Sequence, residues 1–128
     1  MLKKSLIVDD LPLDAELTRR VLESFRGEHE VVIVCDGEQA LFELNKAHDF
    51  DVVLLDLHLP KIDGFEVLKE LSSKPFLSAV PIIVLSSSRN PIDRMRTCML
   101  GAREFVEKAV DYSEFKAILS KTLEHHGL

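Results

Sequence analysis

Short apolar runs that stop abruptly on charged or hydroxylic residues recur along this chain, separated by segments of helical periodicity. Ser5-Leu6-Ile7-Val8 stops on Asp9-Asp10, and Val52-Val53-Leu54-Leu55 stops on Asp56. Ile82-Ile83-Val84-Leu85 ends on Ser86, and the brief Glu104-Phe105-Val106-Glu107 ends on Lys108. Uninterrupted apolar runs this short read as strands covered on both faces, as in a parallel sheet between helices. The strand C-termini of such a sheet line one edge, and ligands bind in the crevice outside it. Three carboxylates, a hydroxyl and an ammonium are thus expected to meet at one place. That set suits Mg2+-assisted chemistry on a phosphoryl group.

Between the runs, apolar residues recur at helical spacing. After the first strand (residues 4–8) come Pro12, then Asp14 as an N-cap or first-turn carboxylate, a stripe of Leu17, Val21 and Phe25, and Gly27 as the stop. A β-branched second strand spans 30–35, and Asp36-Gly37 turns into a helix carrying Ala40, Leu41 and Leu44. The third strand, 51–55, leads into a loop with turn residues Pro60 and Asp63-Gly64, then a helix with Phe65, Leu68 and Leu71. A polar, proline-containing connection fills 74–80, and Pro81 opens the fourth strand, where its missing N–H is tolerated. Pro91 starts a helix expected to turn Ile92, Met95 and Met99 inward, with Gly101 as its stop. The last helix shows Phe115, Ile118, Leu119 and Thr122. Strand and helix alternate five times at short spacings, which implies right-handed crossovers and a three-layer α/β sandwich. The predicted architecture is flavodoxin-like, (βα)5, with a parallel sheet of order 2-1-3-4-5.

A length of 128 residues fits a single domain spanning 1–128 with one core. A net charge of −6 argues against nucleic acid as the main partner, since a binder needs a basic face. The arginines at 89, 94, 96 and 103 then read as a solvated or protein-binding face. Cys35 and Cys98 have no paired spacing and are expected as reduced thiols in or near the core. The apolar segment after Met1-Leu2-Lys3-Lys4 is too short for a signal peptide or a membrane span, so the cytoplasm is expected.

Gathering Asp9, Asp10 and Asp56 raises each carboxyl's pKa by mutual repulsion, and a hard cation relieves this. Mg2+ accepts one or two carboxylates, keeps waters and shares phosphate oxygens; the His58 backbone carbonyl, just past Asp56, is a further ligand. One carboxylate is then placed to act as a nucleophile and form an aspartyl phosphate. Lys108 would grip a phosphoryl oxygen, and the Ser86 hydroxyl would donate another hydrogen bond.

In sequence the chain resembles the receiver domain of two-component response regulators, the class of the chemotaxis receiver. The segments that carry the likeness are Val8-Asp9-Asp10, the stretch from Leu54-Leu55-Asp56-Leu57-His58-Leu59-Pro60 through Asp63-Gly64-Phe65-Glu66-Val67-Leu68, Pro81-Ile82-Ile83-Val84-Leu85-Ser86, Leu100-Gly101-Ala102 and Glu107-Lys108. The resemblance implies that Asp56 takes a phosphoryl group from a sensor histidine kinase or a phosphotransfer protein. Asp10, Asp56 and the His58 carbonyl would ligate Mg2+ directly, with Asp9 acting mostly through water. Ser86 and Phe105 match the switch pair of hydroxyl and aromatic ring, although Phe105 also reads as a core aromatic. His58 and Ser88 flank the mouth of the site, where side chains tune phosphate lifetime; His58 reads equally as a loop bystander. His125-His126 reads as a polar tail. The family usually has Lys-Pro after the fifth strand, whereas this chain has Lys108-Ala109, and a trans peptide is expected there.

The chain ends after the fifth helix, so a stand-alone regulator is expected, signalling through the face of the fourth helix, fifth strand and fifth helix. Homodimerisation through that face is also expected, with Tyr112 and Phe115 as partly exposed contacts. The Asp9-Asp10-Leu11-Pro12-Leu13-Asp14-Ala15-Glu16-Leu17 start and the Ser86-Ser87-Ser88 run resemble single-domain regulators that partner phytochrome-type kinases. Two other readings compete. A phosphorylation-independent adaptor on the same scaffold is favoured by Ala109 and opposed by the intact acid set. A Mg2+-dependent aspartyl-nucleophile phosphatase of the haloacid dehalogenase type expects an acid two residues after the nucleophile, where His58 stands, and a cap domain.

Overall fold

The computed structural model describes residues 3–25, 27–46, 49–74, 79–108 and 111–128. In chain order the elements are β1 (Lys3–Val8), α1 (Pro12–Ser24), β2 (His29–Val34), α2 (Gly37–Lys46), β3 (Val52–Asp56), α3 (Gly64–Ser72), β4 (Ile82–Ser86), α4 (Pro91–Met99), β5 (Glu104–Glu107) and α5 (Tyr112–His125). All strand pairs are parallel, in the order β2-β1-β3-β4-β5. The chain therefore reverses its direction of sheet growth between β1 and β3, and a crevice opens where their C-termini diverge.

Side-chain alternation along the strands divides the interior into two cores. Leu6, Val8, Val53, Leu55, Ile82 and Val84 meet α2 and α3 on one face. Ile7, Val52, Leu54, Ile83, Leu85 and Val106 meet α1 and α5 on the other. Both β3 and β4 are buried throughout, as strands sandwiched by helices must be. The same parity sends Asp9, Asp56 and Lys108, each two residues beyond a member of the second core, toward the α1–α5 side. Among the described residues, no helix is long and apolar enough to cross a membrane.

Several expectations about faces are corrected. Ile92 and Met95 are each 56% exposed and Met99 is 80% exposed, so the α4 stripe faces outward. Thr97 is the buried residue of α4, and Arg94 and Arg96 cover its inner flanks by lying over the Phe105 and Phe65 rings. A stripe at i, i+3, i+7 specifies one face of a helix without saying which face meets the sheet. Helix α1 buries Ala15, Thr18, Val21 and Leu22, leaving Leu17 half-buried. It also stops at Ser24, before Gly27, because Phe25 turns extended and inserts into the core. Phe115 is buried rather than partly exposed, and Ile118 is 40% exposed. Cys35 and Cys98 are both exposed, since β2 ends one residue before Cys35 and Cys98 lies on the outer side of α4. Part of the 74–80 connection and the Lys108-Ala109 peptide lie outside the described residues.

The loop between β3 and α3 is packed tightly against the end of β3. A Cβ on Gly64 would stand 2.6 Å from the Asp56 carbonyl oxygen and 2.6 Å from Leu57 Cα, both backbone atoms that cannot swing aside. Gly64→Ala is therefore expected to cost about 1–3 kcal/mol, as overpacking does. Urea unfolding measures it, and an unchanged midpoint would contradict the packing.

Candidate functional site

Asp9 follows β1 directly, with its side chain 3% exposed. Its Oδ1 accepts the Leu11 N–H at 3.0 Å, which ties the end of β1 to the N-cap residue of α1. Asp56 ends β3 with its side chain 6% exposed, and its Oδ1 accepts a long hydrogen bond of 3.4 Å from the His58 N–H. The register that pairs Val8 with Leu55 brings Asp9 alongside Asp56. Asp10 is exposed and completes a group in which one carboxylate oxygen from each of Asp9, Asp10 and Asp56 lies within 4.8 Å of the others.

Lys108 follows β5, where its N–H donates to the Ser86 carbonyl at 2.8 Å. Its ammonium donates to Asp9 Oδ2 and to Asp14 Oδ2, both at 3.0 Å, and stands 3.6 Å from Asp56 Oδ2. The sequence predicts for Asp14 only an N-cap or first-turn carboxylate. It lies in the first turn of α1, and the position gave no hint that it shares the ammonium, because the two residues are 94 positions apart.

The electrostatics follow from this count. Three carboxylates, Asp9, Asp14 and Asp56, stand around the Lys108 ammonium, and Asp10 adds a fourth beside Asp9 and Asp56. Burial by itself pushes the Lys108 ammonium down. The Asp56 and Asp9 charges, with the hydrogen bonds to Asp14 and Asp9, outweigh it and hold the pKa above its ordinary value. Asp56 moves the other way in energy. Burial, with repulsion from Asp9, raises its pKa despite the Lys108 charge. The lone cation is shared too widely to satisfy every carboxylate. A hard divalent cation fits the cluster for this reason, and the donors are all oxygens.

One consequence is measurable. The folded Asp56 carboxyl holds its proton more tightly than the unfolded chain does, so its ionised form costs stability at neutral pH. Asp56→Asn is expected to raise the melting temperature by a few degrees at pH 7 in chelator. That advantage should shrink as pH falls through the raised value toward the ordinary 3.8. A variant less stable than the wild type at pH 7 would overturn this account.

The remaining predicted residues take distinct places. Ser86 is fully buried, and its hydroxyl accepts the Ser88 N–H at 3.1 Å. Ser88 turns toward α4, donating to Asp93 at 2.6 Å and accepting the Asn90 N–H at 3.2 Å. Phe105 is half-buried against the α2–α3 core, with the Arg94 guanidinium 4.7 Å from its ring centroid. The His58 side chain is exposed on the loop after β3. His126 packs back on β5, 3.4 Å from Glu104, so the histidine pair is only partly a solvated tail. An open cleft of about 360 Å3 adjoins the ammonium, lined by Leu13, Asp14, Leu17, Ser87, Lys108 and Phe115 among others.

Comparison with known proteins gives the context of this geometry. The family model described as response regulator receiver domain matches residues 5–120. Response regulator Rcp1 of Synechocystis sp. is 34% identical over 113 residues, covering 84% of this chain and 77% of that protein. The crystal structure of the phosphorylated cyanobacterial phytochrome response regulator RcpA superposes with a TM-score of 0.90 at 35% identity, covering 97% of this chain and 93% of that one. The Mn2+-bound form of Rcp1 gives 0.83 at 30% identity, with 93% and 90% covered. The receiver domain of the sensor histidine kinase PA1611 from Pseudomonas aeruginosa, with magnesium coordinated in its active site cleft, gives 0.78 at 26%, with 94% and 97% covered. The chain spans 13–54% of the length of seven other curated relatives.

Proposed function

This chain belongs to the response regulator receiver domain family, and we propose that it is a phosphorylation-activated signalling switch, with residues 1–128 acting as one such domain. The observation that carries the reading is the meeting of Asp9, Asp10, Asp56 and Lys108 at the ends of three parallel strands.

In this reading Asp56 is the phosphoacceptor. A carboxylate oxygen attacks the phosphorus, the bond to the donor breaks, and the donor departs with the electron pair. Asp10, Asp56 and the His58 carbonyl would hold Mg2+, with Asp9 acting mostly through water, and the ion would supply neutralisation of the charge on the transferring group. Lys108 steadies a phosphoryl oxygen. Ser86 leaves its contact with Ser88 for the phosphoryl group, and Phe105 repacks behind it, so phosphorylation favours one of two packings. His58, exposed beside Asp56, and Ser88 tune how long the phosphate lasts.

The phosphoryl donor is a sensor histidine kinase of the phytochrome type or a phosphotransfer protein, a reading supported by the likeness to Rcp1 and RcpA. Output runs through protein contacts, including self-association, at the α4–β5–α5 face, where Ile92, Met95, Met99 and Ile118 are exposed. The protein works in the cytoplasm as a switch rather than a turnover enzyme.

The test is incubation with acetyl phosphate and Mg2+, followed by intact-mass measurement and by transfer from phosphorylated phytochrome-type kinases. A single acid-stable, base-labile adduct is expected. Absence of any adduct from either source would favour the phosphorylation-independent adaptor.

A further inference from the structure

Asp14 sits in the first turn of α1, outside the acidic trio, yet it holds the Lys108 ammonium at 3.0 Å, as closely as Asp9 does. The carboxylates around that ammonium are Asp9, Asp14 and Asp56. Two of them, Asp9 and Asp56, also belong to the trio with a metal-ligating arrangement, and Asp14 does not. A divalent cation held there would draw on the charge of Asp9 and Asp56 and weaken their hold on Lys108. The bond from Asp14 would then be, among the described residues, the ammonium's one anchor that the cation does not share.

We propose that Asp14 is a positioning residue for phosphoryl transfer, keeping the Lys108 ammonium fixed beside Asp56 once the acidic trio is occupied by a cation. The inference rests on the reading of Asp56 as phosphoacceptor. Three features of the structure serve the role. The Thr18 hydroxyl donates to the Asp14 carbonyl at 3.0 Å, and the Asp9–Leu11 hydrogen bond ties the start of α1 to the end of β1, so the helix turn that carries Asp14 is itself held. Lys108 is anchored at its other end by its N–H to Ser86. Its ammonium has three N–H groups, of which Asp9 and Asp14 take two, leaving one for the side of Asp56 at 3.6 Å. A hydrogen bond to a charged group is strong enough that its loss lowers a rate about tenfold or more where the transfer step feels it in full.

The experiment compares wild type, Asp14→Asn and Asp14→Glu in the full chain. At saturating Mg2+ and acetyl phosphate, Asp14→Asn is expected to phosphorylate about tenfold more slowly, with Asp14→Glu recovering most of the rate. The second measurement is the Lys108 side-chain Nζ resonance, assigned by its loss in Lys108→Met, during a Mg2+ titration. In the wild type it should stay sharp, and in Asp14→Asn it should broaden and shift as the cation binds. A wild-type rate together with an unmoved Lys108 signal in Asp14→Asn overturns the proposal. So does a slow rate that Asp14→Glu fails to restore while the Lys108 signal is unchanged. If the wild type itself forms no adduct, the phosphoacceptor reading fails, and the Lys108 signal still decides whether Asp14 holds the ammonium.

Discussion

Asp56→Asn is expected to form no phosphoryl adduct under conditions in which the wild type is fully labelled, a fall in rate of at least about a thousandfold. An amide presents no anionic oxygen, so the attacking group is lost while the volume and the His58 N–H contact are retained. The alternatives near the site are poor nucleophiles for this geometry. Asp9 is committed through Oδ1 to Leu11 and through Oδ2 to Lys108, and Asp14 is committed to the same ammonium. Asp10 is exposed, and among the described residues the Lys108 ion pairs run to Asp9, Asp14 and Asp56 instead. Intact mass after acetyl phosphate treatment reads the outcome, and peptide mapping locates any residual label. Full labelling of the Asn variant would remove Asp56 from the mechanism. Because the same substitution is expected to raise stability at neutral pH in chelator, loss of labelling is separable from loss of folding.

Mg2+ is expected to stabilise the wild type by about 1.4 kcal/mol at ten times its dissociation constant, or roughly 5 °C in melting temperature for a domain of this size. The physical source is the excess of carboxylate over ammonium at the sheet edge, where Asp56 is destabilised in its charged form. Chelator should remove the effect completely. Asp10→Asn is the discriminating variant, because Asp10 is exposed and carries little of the metal-free stability. It should melt near the wild type in chelator and lose most of the Mg2+ response, with affinity lowered by at least about tenfold, since losing a ligand outweighs losing a partner of one. A full Mg2+ response in Asp10→Asn would place the cation elsewhere.

The elements and their order were legible because the strands are short, apolar and punctuated, and because Pro12, Asp63, Pro91 and Gly101 mark helix ends by known stereochemistry. What stayed hidden were helix orientations. The α4 stripe of Ile92, Met95 and Met99 reads as a core face in one dimension. Its outward turn accompanies two arginine guanidinium groups lying over Phe65 and Phe105, of which Phe65 is distant in sequence. The exposure of Cys35 and Cys98 was concealed for a related reason, since a strand end and a helix flank are decided by where neighbours stop.

From the chain of residues alone came the parallel sheet and the identity of the acids, hydroxyl and ammonium at its edge, since strand periodicity and chemical type are local properties. The tertiary structure decided how charge is shared among them: that Lys108 spans Asp9 and Asp14, and that Asp56 is left undercompensated. Such pairings depend on distances between side chains far apart in sequence, and Coulomb energies and hydrogen bonds are set by those distances.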